Sequence, residues 1–188
     1  QRGIPLKIMT DRTPPVNISG VQIEVLHPSE RALDSAVTDS ANHLPQRSSF
    51  VKPPSILYDE TNDRSLVLKF TFGKRRFLFP ADISETVERR LVHENIDLQS
   101  DVIVVPHHGS HRSSHVFFVE KVKPQIAVVS CGSGNLFGFP NPDVLRRYES
   151  IHSEVFRTDH DGAVILKTDG HNLTANAFHS IKNREVPE

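Results

Sequence analysis

The chain has 188 residues, and 22 Lys and Arg against 23 Asp and Glu leave a formal net charge of −1. This length is enough for one domain with a core of its own, while the balanced charge argues against a cationic nucleic-acid arm and against an acidic tail. The sequence contains no run near the roughly 20 apolar residues of a membrane span. Its single cysteine excludes an internal disulfide and a cysteine-rich zinc site.

The first sixty residues predict few regular elements. Short apolar runs between turn residues indicate strands at residues 6–9 and 21–26. Residues 28–61 show no hydrophobic period and are rich in Ser, Pro, Asp and Asn, so we expect a long surface loop there. One helical turn is predicted within it, near residues 30–36. Loops of this length are often functional.

A hairpin and a helix are predicted next. Residues 65–72 and 75–79 are apolar-rich runs on either side of a Gly-Lys turn, which indicates two antiparallel strands. Ser84 is the predicted N-cap of a helix over residues 85–94, whose apolar side chains share one face.

Strands and helices alternate in the second half of the chain. Ser114 and Asn141 are the predicted N-caps of the two helices, and Pro142 occupies the first helical position after Asn141. The alternation predicts parallel strands joined by right-handed crossovers, within a layered α/β sheet. The predicted strands and helices cover residues 102–105, 115–122, 125–130, 142–151 and 154–158.

Two further strands are predicted at the end of the chain, over residues 163–168 and 173–178, with Gly162 and Gly170 at turns. Residues 159–162, with the sequence Asp-His-Asp-Gly, are typical of a hairpin turn. Their two carboxylates could bind a metal ion, although turn chemistry alone explains them.

Two adjacent histidines follow the apolar run at residues 102–105. Pro106 ends that strand, so His107 and His108 emerge at its carboxyl end, where open α/β sheets place their ligands. Neutral imidazole is the commonest ligand for transition metals. Adjacent side chains point to opposite sides, so one histidine would enter a site while the other orients it or contacts substrate. A surface loop with two solvated histidines is the alternative.

A carboxylate occupies the equivalent position after the strand at residues 75–79. Asp82 lies between this strand and the helix that Ser84 begins, where it could bridge two cations. Alternatively, Asp82 belongs to the helix start and interacts with the helix dipole. Because the two strand ends could be neighbours, Asp82 and the histidine pair together favour a shared metal site.

A glycine-rich loop follows the next buried strand. Residues 131–142 contain three glycines, which give the backbone room to approach a ligand, and the helix start at Asn141 offers free N–H groups to an anion. The loop lacks the Gly-Lys-Ser/Thr of a Walker A motif. Cys131 is interpreted as a small buried apolar residue rather than a nucleophile.

Five short motifs follow one another along the chain: Asn62-Asp63-Arg64-Ser65-Leu66-Val67-Leu68, Phe79-Pro80-Ala81-Asp82-Ile83, Val105-Pro106-His107-His108-Gly109-Ser110, Gly138-Phe139-Pro140 and Arg157-Thr158-Asp159. Arg2-Gly3-Ile4-Pro5 and Glu24-Val25-Leu26-His27-Pro28 precede them. Their order and spacing resemble the metallo-β-lactamase-fold domain of ComEC-type competence proteins. The resemblance spans nearly the whole chain, apart from the loop after His27 and about the last ten residues.

This resemblance implies a four-layer αββα sandwich with a metal centre at one edge of its two sheets. By resemblance, Asp82 is a bridging metal ligand, and His107 or His108 is the late histidine ligand. His108, Ser110 and Asn62 would be catalytic or line the site. The implied cofactor is a divalent metal, zinc or manganese. The implied activity is that of a hydrolase that degrades the non-transported DNA strand.

Two departures from the family pattern change the expectation. The His-x-(His/Asp)-x-Asp-His cluster that supplies the first metal ligands is absent from these 188 residues, and Phe139 stands where relatives often have His. We therefore expect the C-terminal portion of the fold, as one partial domain over residues 1–188 with an insert at 28–61 and a flexible tail at 179–188. Such a chain would bind metal weakly or not at all, because zinc generally needs three or four ligands.

The leading functional hypothesis is part of a metal-dependent phosphodiesterase or nuclease domain of a DNA-uptake protein, inactive on its own. A non-catalytic DNA-binding or assembly module of the same protein is the alternative, and an unrelated α/β hydrolase is a third. Expected partners are single-stranded DNA, the missing N-terminal half of the domain, the membrane channel of the parent protein and a second copy. The expected location is extracytoplasmic, as a soluble domain of a bacterial inner-membrane protein.

Overall fold

The computed structural model describes residues 8–30, 62–178 and 184–186. Within these ranges the chain forms a mixed α/β fold with a seven-stranded sheet, a three-stranded sheet and several helices, so the predicted layered α/β architecture is confirmed. Three predictions lie wholly or mostly outside the described residues: the first half of the strand at 6–9, the helical turn near 30–36 and the loop at 28–61.

The large sheet contains seven strands in chain order. Strands β1 to β4 pair antiparallel, and β4 to β7 pair parallel. The predicted hairpin and the predicted parallel strands are therefore confirmed. The strands are β1 (Val16–Ile18), β2 (Val21–His27), β3 (Val67–Phe72), β4 (Arg75–Phe79), β5 (Val102–Val104), β6 (Ile126–Val129) and β7 (Glu154–Arg157).

The described half of the strand predicted at residues 6–9 is not a strand. Residues 8 and 9 have no strand structure, and the first strand of the described residues is β1 (Val16–Ile18). All three residues of β1 are exposed, because β1 is the edge strand of the sheet. A short exposed strand has no alternation of buried and exposed side chains, so the sequence carries no signal for it.

Three helices provide the crossovers that parallel strands require. They are α1 (Glu85–His93), α2 (Val116–Val122) and α3 (Pro142–Ser150). Ser84 and Asn141 cap α1 and α3 as predicted: their side-chain oxygens accept the backbone N–H groups of Thr86 at 3.2 Å and Asp143 at 2.8 Å.

The N-cap of α2 is His115, so the prediction of Ser114 is wrong. The Ser114 hydroxyl lies 3.1 Å from the Tyr148 hydroxyl, and the Ser114 backbone N–H donates to Glu88. Both polar groups are therefore engaged by residues distant in the sequence. The His115 Nδ1 accepts the N–H of Phe117 instead.

The small sheet contains β8 (Val164–Thr168), β9 (Leu173–Ala177) and β10 (Arg184–Val186), all antiparallel. A single helical turn, α4 (Thr158–Asp161), leads from β7 to β8, so the hairpin turn predicted at residues 159–162 is wrong. The Asp161 carboxylate accepts the Arg157 N–H at 2.8 Å and closes this turn. β10 lies within the predicted tail.

Alternate side chains of the central strands enter two separate cores. Ala127 and Val129 face the helices, whereas Ile126 and Val128 face the small sheet. Leu173 of β9 packs in this second core. The layers are therefore helices, large sheet and small sheet, and burial on both faces explains the uninterrupted apolar runs of the parallel strands.

The turns of the two sheets meet at one edge. The Lys74 N–H donates to the Gly170 carbonyl at 2.6 Å, and a Cβ on Gly73 would lie 2.5 Å from the same oxygen. Arg75, buried beside this contact, donates from Nε to the His171 carbonyl at 2.5 Å and from a terminal nitrogen to Asp101 at 3.3 Å. These contacts tie the β3–β4 hairpin to the small sheet. None of the helices in the described part of the chain could cross a membrane.

Candidate metal centre

Asp82 and His108 lie together at the carboxyl ends of two neighbouring strands. β4 and β5 pair in parallel, so the loops that follow them leave the same edge of the large sheet. The Asp82 Oδ1 lies 3.7 Å from the His108 Nε2, and both side chains are about half exposed. The carboxylate and the imidazole thus face a common point in solvent.

The other ring nitrogen of His108 sets the direction of its lone pair. Nδ1 lies 2.7 Å from the carbonyl oxygen of Ser130, to which it donates its proton. Nε2 is then unprotonated in the neutral ring and faces Asp82. A backbone carbonyl that holds one imidazole nitrogen while the other faces a carboxylate is the arrangement found around metal-binding histidines.

The spacing of the two donor atoms fits one shared cation. Two donors that each lie about 2.1 Å from a tetrahedral ion are about 3.4 Å apart. The observed 3.7 Å is close to this value, and it is too long for a direct hydrogen bond. Imidazole and carboxylate together suit zinc or manganese.

The histidine turn has an unusual backbone conformation. His107 and His108 have φ values of 50° and 55°, in the left-handed region that is costly for residues with a Cβ. The His107 N–H donates to the Ala81 carbonyl at 3.0 Å, and the Ser110 N–H donates to the His107 carbonyl at 2.9 Å. The first of these bonds joins the histidine turn to the loop that carries Asp82, so the two loops position each other.

The glycine-rich loop packs directly against the histidine turn. A Cβ on Gly109 would lie 2.6 Å from the Pro140 Cβ, so only glycine permits this approach. The Asn141 N–H donates to the Gly109 carbonyl at 2.8 Å. As a result, the Phe139 ring lies edge-on to His107, at 5.9 Å between centroids.

His107 presents a buried nitrogen without a partner. Its Nδ1 makes no hydrogen bond to any described residue. A buried polar atom left unpaired costs about 1–3 kcal/mol, so such an atom is normally satisfied by a water molecule, an ion or another polar group. The imidazole of His107, which directly precedes His108 in the turn, therefore has one buried nitrogen without a described partner.

Ser110 and Asn62 occupy different positions around the site. Ser110 is only 3% exposed, and its hydroxyl oxygen accepts the Arg112 N–H at 3.3 Å, which stabilises the histidine loop from within. Asn62 begins a 3₁₀ turn, and its neighbour Asp63 accepts the Ser84 N–H at 3.3 Å. A catalytic role for Ser110 or Asn62 stays a prediction.

His27 was not singled out by sequence reasoning, yet it supports the Asp82 loop. It is buried at the end of β2, where its Nε2 donates to the Asp63 carbonyl at 2.6 Å and its Nδ1 accepts from Arg90 at 2.5 Å. Burial lowers the pKa of His27, which agrees with a neutral ring that donates and accepts. Asp63 in turn contacts Ser84 next to the Asp82 loop. The only local signal was its place at a strand end.

Glu88 holds the far end of the histidine loop. Its fully buried carboxylate accepts the N–H groups of Ser114 at 2.6 Å and His115 at 2.7 Å. Burial raises the pKa of Glu88 to about 7, although these two hydrogen bonds act in the opposite direction. Arg147 donates to the Ser114 carbonyl at 2.8 Å and completes this support. In the sequence, Glu88 looks like one more charge on a polar helix face.

The other nearby acidic and thiol groups are already engaged. Asp159 accepts two hydrogen bonds from the Arg157 guanidinium, at 3.1 and 2.7 Å, which lower the pKa of its carboxyl. Burial raises the pKa of the Cys131 thiol, which argues against a thiolate and agrees with the interpretation of Cys131 as a small apolar residue. Across residues 8–30, 62–178 and 184–186, no three His, Cys, Asp or Glu side chains are arranged to hold a metal ion.

The geometry defines the class of protein: a two-sheet α/β domain with a carboxylate–imidazole pair at the ends of two parallel strands. No family model matches the chain. It is 29% identical over 103 residues to the ComE operon protein 3 of Bacillus subtilis and 33% identical over 116 residues to the competence protein ComA of Neisseria gonorrhoeae. It is also 28% identical over 114 residues to the recombination protein 2 of Haemophilus influenzae.

These alignments cover 55–61% of the chain but only 13–17% of the relatives. The chain thus matches a small part of much longer proteins, several of which are named for competence or recombination. The resemblance to competence proteins that the motifs indicated is confirmed at this level.

Proposed function

We propose that this chain is part of a metal-dependent phosphodiesterase domain of a competence protein, and that Asp82 and His108 bind a divalent cation at its centre. The observation that carries the proposal is the 3.7 Å spacing between the Asp82 Oδ1 and the His108 Nε2, with the Nδ1 of the same ring engaged by Ser130. The motif resemblance to the metallo-β-lactamase fold supports the same reading.

Each residue of the centre has a separate task in this proposal. Asp82 contributes a carboxylate at the end of β4, and His108 contributes the Nε2 lone pair that the Ser130 carbonyl orients. His107 shapes the turn, because its N–H donates to the Ala81 carbonyl of the loop that carries Asp82. The cation, when bound, supplies positive charge to a phosphoryl oxygen and acidifies water.

The ligand set of this chain is incomplete in the proposal. An imidazole and a carboxylate fall short of the three or four protein ligands that zinc generally takes. We propose that the intact domain completes the set from elsewhere in the parent protein, and that this chain alone binds metal weakly and hydrolyses little or nothing.

The proposed substrate is the phosphodiester backbone of DNA. The relatives named for competence and recombination support this substrate, since both processes handle DNA. Contact with single-stranded DNA, with the N-terminal half of the domain, with a membrane channel and with a second copy belongs to the same proposal, as does an extracytoplasmic location.

Metal titration tests the centre directly. Calorimetric titration of the chain with Zn²⁺ or Mn²⁺ should give weak binding. Asp82→Asn and His108→Asn should each weaken this binding by at least about tenfold, because mutating even a residue that only supports a metal ligand can reduce affinity that much. His152→Asn is the matched control, because His152 is exposed and also has a positive φ, of 63°, which asparagine tolerates. Equal affinity in all four proteins would disprove the centre, and a tightly held stoichiometric ion would disprove its incompleteness.

Activity is tested in the longer parent protein. Asp82→Asn should abolish metal-dependent cleavage of single-stranded DNA there without reducing expression or DNA binding. Unchanged cleavage would contradict the catalytic proposal. If the wild type cleaves no DNA and Asp82→Asn loses DNA binding, the non-catalytic DNA-binding module would be favoured instead.

A further inference from the structure

A series of three aromatic rings begins at His108, the residue whose imidazole faces Asp82. The Phe139 ring stacks on His108 at 6.5 Å between centroids and 24° between planes, and the Phe137 ring stacks on Phe139 at 5.5 Å and 17°. Each ring plane is thus tilted by no more than 24° from that of its neighbour. We call His108, Phe139 and Phe137 the aromatic platform.

The outer end of the aromatic platform is open to solvent. Phe137 is 79% exposed and Leu136 is fully exposed, although exposed phenylalanine carries a hydrophobic cost. The platform forms one wall of an open groove of about 290 Å³ that also contacts Cys131, Gly132 and Asn135. A flat face next to an open groove is suited to a planar apolar ligand.

The loop that carries the platform is held by its own hydrogen bonds. The Asn135 side-chain amide donates to the carbonyls of Gly132 at 2.9 Å and Phe139 at 2.7 Å, and its oxygen accepts the Phe139 N–H at 2.9 Å. Cys131 is anchored through two hydrogen bonds with Thr158, at 2.9 and 2.8 Å. The rings are therefore pre-organised, which lowers the entropy cost of binding a partner.

We propose that the aromatic platform stacks against an unpaired base of single-stranded nucleic acid and so positions a phosphate further along the same strand at Asp82 and His108. Phe137 and Phe139 are positioning residues in this proposal, which rests on the proposed function for the chemistry at the phosphate. Only a single strand fits, because a base in a duplex has both faces covered. Stacking tolerates any base, so the platform predicts no sequence preference.

A fluorescent base analogue tests the stacking without requiring hydrolysis. A short single-stranded oligonucleotide with 2-aminopurine should lose fluorescence on binding, and the absence of tryptophan from the chain leaves the signal clean. Phe137→Ala should weaken binding about 5- to 150-fold, as removal of a stacking ring does elsewhere. Phe137→Tyr should restore it, because tyrosine keeps the flat face.

Two controls separate base stacking from other causes. Phe117→Ala removes another exposed phenylalanine, on α2, and should leave binding unchanged. An oligonucleotide of equal length whose nucleotides are abasic should bind the wild type as weakly as the normal one binds Phe137→Ala. Equal binding of normal and abasic strands would overturn the proposal. A wild-type dimer that Phe137→Ala converts to a monomer would overturn it too, by assigning the platform to a second copy.

The test distinguishes this proposal from the metal centre. Binding is measured in EDTA, and the Asp82→Asn variant keeps the platform intact. Base-dependent binding that survives in Asp82→Asn, together with a flat metal titration, would retain the platform and remove the metal centre. If the chain binds metal but binds normal and abasic strands equally well, the metal centre would be retained and the platform removed.

Discussion

The orientation of the His108 imidazole depends on a few neighbouring backbone groups. Its left-handed φ is maintained by the hydrogen bond from the His107 N–H to the Ala81 carbonyl and by the close packing of Gly109 against Pro140. Its Nδ1 is fixed by Ser130. A strained backbone persists only where its surroundings over-determine it, and these contacts supply that support at His108.

Glu88 is a second single residue that stabilises the histidine loop, at the end of the loop opposite to His108. Its carboxylate satisfies two backbone N–H groups, but its complete burial favours the protonated form. Arg147 lowers the pKa of this group slightly and Glu85 raises it slightly, and burial outweighs both. Glu88 therefore makes the stability of the loop depend on pH.

The stability of the wild type should fall between about pH 4.5 and pH 7 relative to Glu88→Gln. The pKa of Glu88 rises from 4.5 to about 7 on folding, so the unfolded chain releases this proton first. The unfolded state is then favoured progressively, by about 3 kcal/mol in all, until the folded protein also ionises. Urea unfolding of both proteins at several pH values measures this difference.

The difference in stability between the wild type and Glu88→Gln cancels the contributions of the other titrating groups, because both proteins contain them. The pKa of His27 is lowered on folding, so His27 destabilises the protein as the pH falls, and both proteins share this effect. Parallel stability curves for the two proteins would show that Glu88 does not carry the raised pKa.

At the scale of elements, the hairpin of β3 and β4 is the connection between the two sheets. Its turn meets the β8–β9 turn at Gly73 and Gly170, and Arg75 extends from β4 to the carbonyl of His171. The same guanidinium donates a hydrogen bond to Asp101, which lies just before β5. One buried arginine thus links three segments, and the next residue, Arg76, is about half exposed.

Arg75→Met should lower the free energy of unfolding by about 2–4 kcal/mol. The change removes charged hydrogen bonds in a buried position and leaves the His171 carbonyl and part of Asp101 without their partner. Arg76→Met is the matched control, since its nearest acidic partner, Asp97, is 3.9 Å away and exposed. That variant should lose less than about 1 kcal/mol. Similar losses in the two variants, measured by denaturant unfolding, would refute the connection.

At the scale of the whole molecule, two cores lie on the two faces of one sheet. The helix-side core contains Leu78, Leu91 and Phe118, and the inter-sheet core contains Phe156 and Leu173. Among the residues that the structure describes, the inter-sheet core is the smaller of the two. The site loops leave the carboxyl edge of the large sheet, whose position both cores determine.

Leu173→Ala should destabilise the protein by about 2–5 kcal/mol in a single cooperative transition. Leu173 is 1% exposed between the sheets, so truncation leaves a cavity as well as lost apolar contact. Ile165→Ala on the neighbouring strand is the control, because Ile165 is 53% exposed and should cost much less. A separate early transition in the Leu173 variant, seen by calorimetry, would mean that the small sheet unfolds independently.

Many elements were predictable because their signals are local. Hairpin alternation, the Ser84 and Asn141 caps and the apolar runs of the parallel strands involve residues a few positions apart. The meeting of Asp82 and His108 was predictable as well, because carboxyl ends of neighbouring parallel strands share one edge. The similarity to competence proteins was visible in the same short motifs.

The remaining features depend on contacts between residues far apart in the chain. Ser114 fails to cap its helix because Glu88 and Tyr148 engage it, and β8 leaves the large sheet because α4 redirects the chain. The support of Asp63 by His27 and the stacked rings of the aromatic platform likewise have no local signal. Amino-acid order determined most of the strands, helices and turns, through neighbouring side chains and backbone preferences, but not β1 or the helical turn α4. Only tertiary packing decided which polar groups are left to cap, to pair or to face a ligand, because burial and long-range hydrogen bonds compete for each of them.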